Sequence, residues 1–156
     1  MERLIENLRT VLMIEDDFND EALGLRGLSR SSKSLLVQVA RDGQTALNVL
    51  GLEGAQSFSI RSLIICDLKL PKRGGAEVLK AVRAVAAFDQ VPVVMFSSSG
   101  QRSDIEECQR WGASAYVQKP MGAHEYMDTI RAIADSWLDP NETPVKNREF
   151  FALASR

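Results

Sequence analysis

The sequence predicts a doubly wound α/β fold in which five parallel strands alternate with five helices. Five short apolar runs recur along the chain, and a segment with apolar residues at helical spacing follows each of them. The 156 residues are a usual size for one domain, and 45% hydrophobic with 26% charged residues is an ordinary globular composition. Strict alternation of strand and helix implies right-handed crossovers, and therefore a parallel sheet with helices on both faces.

The predicted strands are short and bounded by polar residues or Gly, as expected for strands buried on both faces. They comprise residues 10–14, 35–39, 63–66, 91–96 and 115–117. The predicted helices carry their apolar residues within 22–28, 46–50, 78–86, 105–111 and 126–137. A five-stranded sheet of flavodoxin-like order accommodates these elements most economically.

The chain divides into an N-terminal extension (1–9), one domain (10–138) and a C-terminal tail (139–156). Thr143 and Pro144 resemble an N-cap followed by Pro at the first helical position, which predicts a short helix there. The tail is rich in apolar residues for its length: Val145, Phe150, Phe151, Leu153 and Ala154. An isolated helix this short is marginal in water. The tail therefore needs a surface, either the fifth helix of its own chain or a second subunit, and we predict a homodimer.

Composition excludes several classes of function. With 19 basic against 21 acidic residues there is no positive excess for nucleic acid. No apolar stretch approaches the ~20 residues that span a bilayer, so we expect a cytoplasmic protein without a membrane partner. Cys66 and Cys108 lack disulfide or zinc spacing, and we interpret both as reduced and buried. The single histidine, His124, has no partners for a Ser-His-Asp hydrolase.

Chemically active side chains follow four of the predicted strands. Glu15, Asp16 and Asp17 come after the first, and Asp67 after the third. A serine triplet (97–99) ends the fourth strand, and Lys119 follows the fifth. Ligands of such folds bind beyond the carboxyl ends of the strands. These side chains are therefore predicted to share one rim of the sheet.

Convergent carboxylates repel one another unless a cation joins them. An all-oxygen, solvent-accessible site suits Mg²⁺, which keeps several of its waters. Aspartate is a known phosphoryl acceptor, and a metal can position it for in-line attack. Lys119 would supply a second cation to the transferring oxygens, and the Ser97 hydroxyl could donate to the attached phosphoryl group.

Four segments make the sequence resemble the receiver domains of bacterial response regulators. They read VLMIEDD (11–17), LIICDLKLPKRGG (63–75), VPVVMFSSS (91–99) and GASAYVQKP (112–120). Asp67 precedes Ser97 by 30 residues, and Ser97 precedes Lys119 by 22, which is the spacing of the family's acceptor, hydroxyl and lysine. The resemblance extends over residues 10–138 and implies a flavodoxin-like receiver fold.

For the metal site, the resemblance implies that Asp67 is phosphorylated and that Asp16 binds Mg²⁺ directly, with Mn²⁺ as a substitute. Glu15 acts on the metal mainly through water, and the backbone carbonyl of Lys69 completes the protein ligands. The family's most frequent acidic pair is Asp-Asp, whereas this chain has Glu-Asp followed by another Asp. The family pattern still places Asp16, not Asp17, at the metal.

For the switch, the resemblance implies that Lys119 pairs with the phosphoryl group and that its bond to Pro120 is cis. Ser97 and Tyr116 match the hydroxyl and aromatic positions that move together on activation. Tyr116 has an alternative interpretation, in which the ring simply packs under the fourth helix.

Features that are less specific than these four segments make the sequence most similar to stand-alone receivers paired with phytochrome-type histidine kinases. These features are the EDD start (15–17), DLKLP (67–71), the serine-rich end of strand four and SWL (136–138). The implied function is that of a single-domain response regulator phosphorylated by a histidine kinase, a bacteriophytochrome by this similarity. It is not a conventional enzyme, although it assists its own phosphotransfer and dephosphorylation. The alternative is a degenerate receiver that acts as a phosphorylation-independent interaction module.

Overall fold

A six-stranded parallel sheet lies at the centre of the computed structural model, which describes residues 8–54, 57–139 and 149–154. The strands are β1 Arg9–Ile14, β2 Leu35–Ala40, β3 Leu63–Cys66, β4 Val93–Ser97, β5 Ala115–Gln118 and β6 Phe151–Leu153. Their order across the sheet is β2-β1-β3-β4-β5-β6. The predicted doubly wound, parallel architecture is therefore confirmed.

Five α-helices connect the strands within the described ranges. They are α1 Phe18–Ser29, α2 Gly43–Leu50, α3 Gly75–Arg83, α4 Arg102–Arg110 and α5 Ala123–Trp137, and a short 3₁₀ turn, Ala86–Phe88, follows α3. The Asp17 side chain caps α1 by accepting from the Asp20 N–H, and Asp42 caps α2 in the same way through Thr45. Each cap lies several residues before the predicted apolar pattern, which begins at residue 22 in α1 and at residue 46 in α2. Both helices therefore begin earlier than that pattern indicates.

The predicted number of strands, five, is wrong, because the sheet has a sixth strand at its edge. β6 runs parallel to β5, with Ala152 opposite Tyr116 and Leu153 opposite Val117. Three residues are too few to show the alternation by which a strand is recognised in a sequence. The helix predicted to begin at residues 143–144 lies outside the described residues.

The predicted fourth strand began at residue 91, whereas β4 begins at Val93. Pro92 has no N–H and cannot donate to the sheet, although its carbonyl accepts from the Ile64 N–H at 2.9 Å. The strand therefore becomes regular only after the proline.

Two apolar cores lie on opposite faces of the sheet, because successive strand residues point to opposite sides. In β1, Val11 and Met13 face the core under α1 and α5, while Leu12 and Ile14 face the core under α2, α3 and α4. The core under α2, α3 and α4 also contains Cys66 and Cys108, which are both buried and form no disulfide. The interpretation of these cysteines as small buried hydrophobes is confirmed.

Helices α1 and α5 approach each other closely at Gly27. A Cβ atom at this position would lie 2.4 Å from Ile130 Cγ2 and 2.6 Å from the Met127 carbonyl oxygen. The glycine thus lets α1 lie directly against α5. None of the helices in the described part of the chain is long and apolar enough to cross a membrane.

Candidate functional site

Three carboxylates meet at the carboxyl edge of the sheet, as predicted. Glu15 and Asp16 follow β1, Asp67 follows β3, and one oxygen from each lies within 4.8 Å of the other two. Glu15 and Asp67 are only 3% and 8% exposed, whereas Asp16 is exposed. The group therefore combines two buried oxygen donors with one that faces solvent.

The Lys119 ammonium is bound among carboxylates at the same edge. Its Nζ lies 2.6 Å from Glu15 Oε2, 2.8 Å from Asp67 Oδ2 and 2.8 Å from Asp20 Oδ2. The side chain is 7% exposed, and the backbone N–H donates to the Ser97 carbonyl oxygen at 2.7 Å. The tertiary fold thus brings together the ends of β1, β3, β4 and β5.

Burial and charge act in opposite directions on this lysine. Burial lowers the pKa of Lys119, but the charge of Asp67 and the three carboxylate hydrogen bonds outweigh it, so the pKa lies above its usual value. The side chain therefore remains a cation over the physiological range of pH.

Glu15 shows how crowded the carboxylates are. Burial raises its pKa to about 7, the hydrogen bond from Lys119 opposes that rise, and the charge of Asp67 adds to it. An additional positive charge would stabilise the ionised form of this carboxylate, because Glu15 is buried beside a second carboxylate.

The donor set fits a hard divalent cation. It consists of carboxylate oxygens without nitrogen or sulfur, and Asp16 opens it to water. Mg²⁺ and Mn²⁺ prefer such ligands. Asp17 does not belong to the group, because its side chain caps α1. Lys69 is exposed, its N–H lies 3.4 Å from Asp67 Oδ1, and the role of its carbonyl as a ligand stays a prediction.

Tight packing of the loop after β3 holds Asp67 in place. The Gly75 N–H donates to the Leu68 carbonyl at 2.8 Å, and a Cβ atom at Gly75 would lie 2.1 Å from the Asp67 carbonyl oxygen. Lys72 has a φ of 65°, and the next N–H, that of Arg73, donates to the Pro71 carbonyl. The loop therefore turns sharply a few residues after Asp67.

The two predicted switch residues lie on neighbouring strands. Ser97 is fully buried at the end of β4, and its Oγ accepts from the Ser99 N–H at 3.3 Å. Tyr116 is also fully buried, and its hydroxyl donates to the Ser99 carbonyl oxygen at 2.8 Å. Its ring shares the apolar core with Cys108 of α4, as the alternative interpretation expected. Burial raises the pKa of Tyr116, so the hydroxyl stays protonated.

One sequence-based prediction about this site is wrong, and one residue was missed. The Lys119–Pro120 bond is trans, which is the less costly isomer, and the lysine reaches Asp67 from it. Asp20 was not predicted to contact Lys119, because the two are 99 residues apart in the sequence. The available signal was its place three residues after the Asp17 cap, in the first turn of α1.

A parallel α/β sheet with an acidic group, a lysine and a buried hydroxyl at its carboxyl edge defines a class of signalling domain. Residues 11–131 match the response regulator receiver domain model. The chain belongs to this family.

Similar proteins include phytochrome response regulators. Response regulator Rcp1 of Synechocystis sp. is 27% identical over 137 residues, which cover 87% of this chain and 93% of Rcp1. The structure of the phosphorylated cyanobacterial phytochrome response regulator RcpA is 28% identical with a TM-score of 0.79, covering 87% of this chain and 97% of RcpA. The bacteriophytochrome response regulator RtBRR is 41% identical with a TM-score of 0.68, covering 89% and 86% of the two chains. A structure of Rcp1 has also been solved in its Mn²⁺-bound form, at 26% identity and a TM-score of 0.78, covering 87% of this chain and 99% of that one. The resemblance to phytochrome-associated receivers is confirmed.

The close approach of Gly75 to the backbone of Asp67 leads to a prediction. Gly75→Ala should destabilise the fold by about 1–3 kcal/mol, because the added methyl group must displace the backbone of Asp67. Gly74→Ala is the matched control, since its Cβ atom would have a single neighbour, at 3.8 Å. Its cost, at an N-cap, should stay below about 1 kcal/mol. Urea denaturation of both variants measures the difference, and equal losses of stability would contradict the prediction.

Proposed function

We propose that this protein is a phosphoacceptor of a two-component system, in which Asp67 receives a phosphoryl group from a histidine kinase. The observation that supports the proposal most is the position of the Lys119 ammonium, 2.8 Å from the Asp67 carboxylate and beside the acidic group of Glu15 and Asp16. An acceptor oxygen that lies next to both a fixed cation and a cation-binding group suits transfer of an anionic phosphoryl group.

Glu15, Asp16 and Asp67 would hold Mg²⁺, or Mn²⁺ in its place, together with the Lys69 carbonyl. The metal supplies positive charge that offsets the repulsion between the carboxylates and the incoming phosphate. Asp16 would be the ligand most accessible to a solvated ion, because it is the exposed member of the group. Glu15, buried against Lys119, contributes mainly through water.

In the reaction, an Asp67 carboxylate oxygen forms a bond to phosphorus while the phosphorus–nitrogen bond of the kinase phosphohistidine breaks, and the histidine leaves with the electron pair of that bond. Lys119 neutralises charge on the transferring oxygens without giving up a proton, because its pKa is raised. Hydrolysis of the acyl phosphate by water then restores Asp67. The protein assists its own phosphorylation and dephosphorylation but is not a conventional enzyme.

Similarity to Rcp1, RcpA and RtBRR supports a phytochrome-type histidine kinase as the partner. We further propose a cytoplasmic protein that signals through protein contacts and has no nucleic-acid partner. On phosphorylation, the hydroxyl of Ser97 turns to the phosphoryl group and Tyr116 adjusts with it, which remodels the surface of α4, β5 and α5. Tyr116 contacts Ser99 and the core beside α4, so a shift at the end of β4 reaches that surface over a short distance.

The acceptor assignment predicts that acetyl phosphate or phosphoramidate labels the protein only with Mg²⁺ or Mn²⁺ present. Asp67→Asn should abolish labelling, because an amide cannot serve as the acceptor. Asp89→Asn is the control, since Asp89 is exposed and precedes β4, whose opposite end carries Ser97, and it should label normally. Intact mass spectrometry reads the result. Stoichiometric phosphate on Asp67→Asn would refute the assignment, and normal signalling by that variant would favour the alternative of a phosphorylation-independent interaction module.

The acidic register predicts a difference between neighbouring aspartates. Asp16→Asn should weaken Mg²⁺ binding by at least about tenfold, because a ligand loses its charge. Asp17→Asn should have little effect, since asparagine is also a good N-cap and α1 stays capped. Metal titration followed by tryptophan fluorescence or calorimetry compares the two variants, and a larger loss at Asp17 would move the metal ligand by one residue.

The homodimer is a further part of the proposal. Phe151 and Leu153 are each 56% exposed on the edge strand β6, and a second subunit that covers them would remove this apolar surface from water. We expect a dimer for the full chain and a weaker one, or a monomer, for a chain truncated after Asp139. Multi-angle light scattering measures both. A monomeric full-length chain would contradict the homodimer, and an unchanged dimer after truncation would exclude the tail from the interface.

A further inference from the structure

The hydrogen-bonding capacity of the Lys119 ammonium is fully used. An ammonium group has three N–H donors, and Nζ has three carboxylate partners within 2.8 Å: Glu15, Asp20 and Asp67. The side chain is almost completely buried, so these carboxylates, and not water, determine where the ammonium lies.

Asp20 differs from the other two partners. Glu15 and Asp67 belong to the oxygen group that suits a divalent cation, and Asp20 does not. Its backbone N–H donates to Asp17 Oδ1 at 2.9 Å, which places it in the first turn of α1. Its side chain is 29% exposed, compared with 4% for Glu15 and 10% for Asp67.

This difference has a consequence for the loaded site. A cation bound to Asp67, and to Glu15 mainly through water, would engage oxygens that also accept from Lys119, and a phosphoryl group on Asp67 would do the same. Glu15 and Asp67 would then form weaker hydrogen bonds with Lys119. Asp20 lies outside the carboxylate group that suits the cation, so its hydrogen bond to Lys119 would be left in place. The lysine stem is long and flexible, and without Asp20 its ammonium would depend entirely on the two shared partners.

We propose that Asp20 is a positioning residue that holds the Lys119 ammonium against the acceptor carboxylate during phosphoryl transfer. The inference rests on the proposed function of Asp67. Asp20 touches neither the phosphoryl group nor the metal group in this scheme and acts only through Lys119. Asp20 thereby connects Lys119, which follows β5, to the first turn of α1, and α1 contributes no side chain to the transfer itself.

The test measures phosphoramidate labelling of the full chain as a function of Mg²⁺ concentration. At saturating Mg²⁺, Asp20→Ala should label about tenfold more slowly than the wild type, because a misplaced catalytic group lowers the rate by such factors. The Mg²⁺ concentration that gives half the maximal rate should change much less than the rate. Asp20→Asn, which keeps the shape of the side chain, should also be slow, and Asp20→Glu, which keeps the charge, should recover most of the rate.

Asp17→Ala is the matched structural control, because it removes the cap of the same helical turn and leaves the three Lys119 hydrogen bonds in place. It should lower stability and keep the wild-type labelling rate. If it slowed labelling as much as Asp20→Ala, the geometry of α1 would explain the effect and the role of Asp20 would be overturned.

A second readout works without any phosphodonor. The ¹⁵N–¹H NMR signal of the Lys119 ammonium, identified by its absence in Lys119→Arg, should be sharp in the wild type because proton exchange from a buried, fully bonded ammonium is slow. It should broaden in Asp20→Ala and Asp20→Asn. An unchanged signal, or an unchanged rate, overturns the role of Asp20. Failure of the wild type to label overturns the proposed function instead, and the NMR signal still decides on the contact.

Discussion

The structure of the site depends on one buried cation among carboxylates. Lys119 follows β5. It contacts two carboxylates that follow β1 and β3 and a third in the first turn of α1. Without the ammonium, Glu15 and Asp67 would be neighbouring buried carboxylates that lack the positive charge now beside both of them. Burial raises the pKa of Glu15 to about 7 even though the hydrogen bond from Lys119 opposes that rise.

The sheet makes this arrangement possible because all its strands are parallel. Parallel strands deliver their carboxyl ends to the same edge, so groups that are far apart in the chain meet there. Two close backbone approaches maintain the geometry: Gly27 lets α1 lie against α5, and Gly75 lets α3 begin directly beside Asp67. A methyl group at either glycine would meet backbone atoms at less than 3 Å, so neither position has room for a side chain.

The strand that directly precedes Lys119 carries Tyr116 and pairs with β6 of the tail. β5 therefore leads into Lys119 at its carboxyl end, contains the buried ring of Tyr116 and pairs with β6 along its edge. Tyr116 contacts both Ser99 and the core beside α4, and it lies opposite Ala152 of the exposed edge strand. In the proposed function, this strand is the physical route from the acceptor to the surface that partners contact.

The sequence alone was sufficient for the parallel α/β architecture, the edge of the sheet that bears the site, and the group formed by Glu15, Asp16, Asp67 and Lys119. The architecture and the edge depend on local periodicity and on the residues that follow each strand, which a sequence displays directly. The choice of Asp16 over Asp17 depended on the resemblance to receiver domains. Only the tertiary structure decided that the sheet has a sixth strand, that Tyr116 is fully buried, that the Lys119–Pro120 bond is trans and that Asp20 binds Lys119. Each of these depends on packing between segments distant in the chain, and the free energy of such contacts leaves no pattern in the neighbouring residues of either segment.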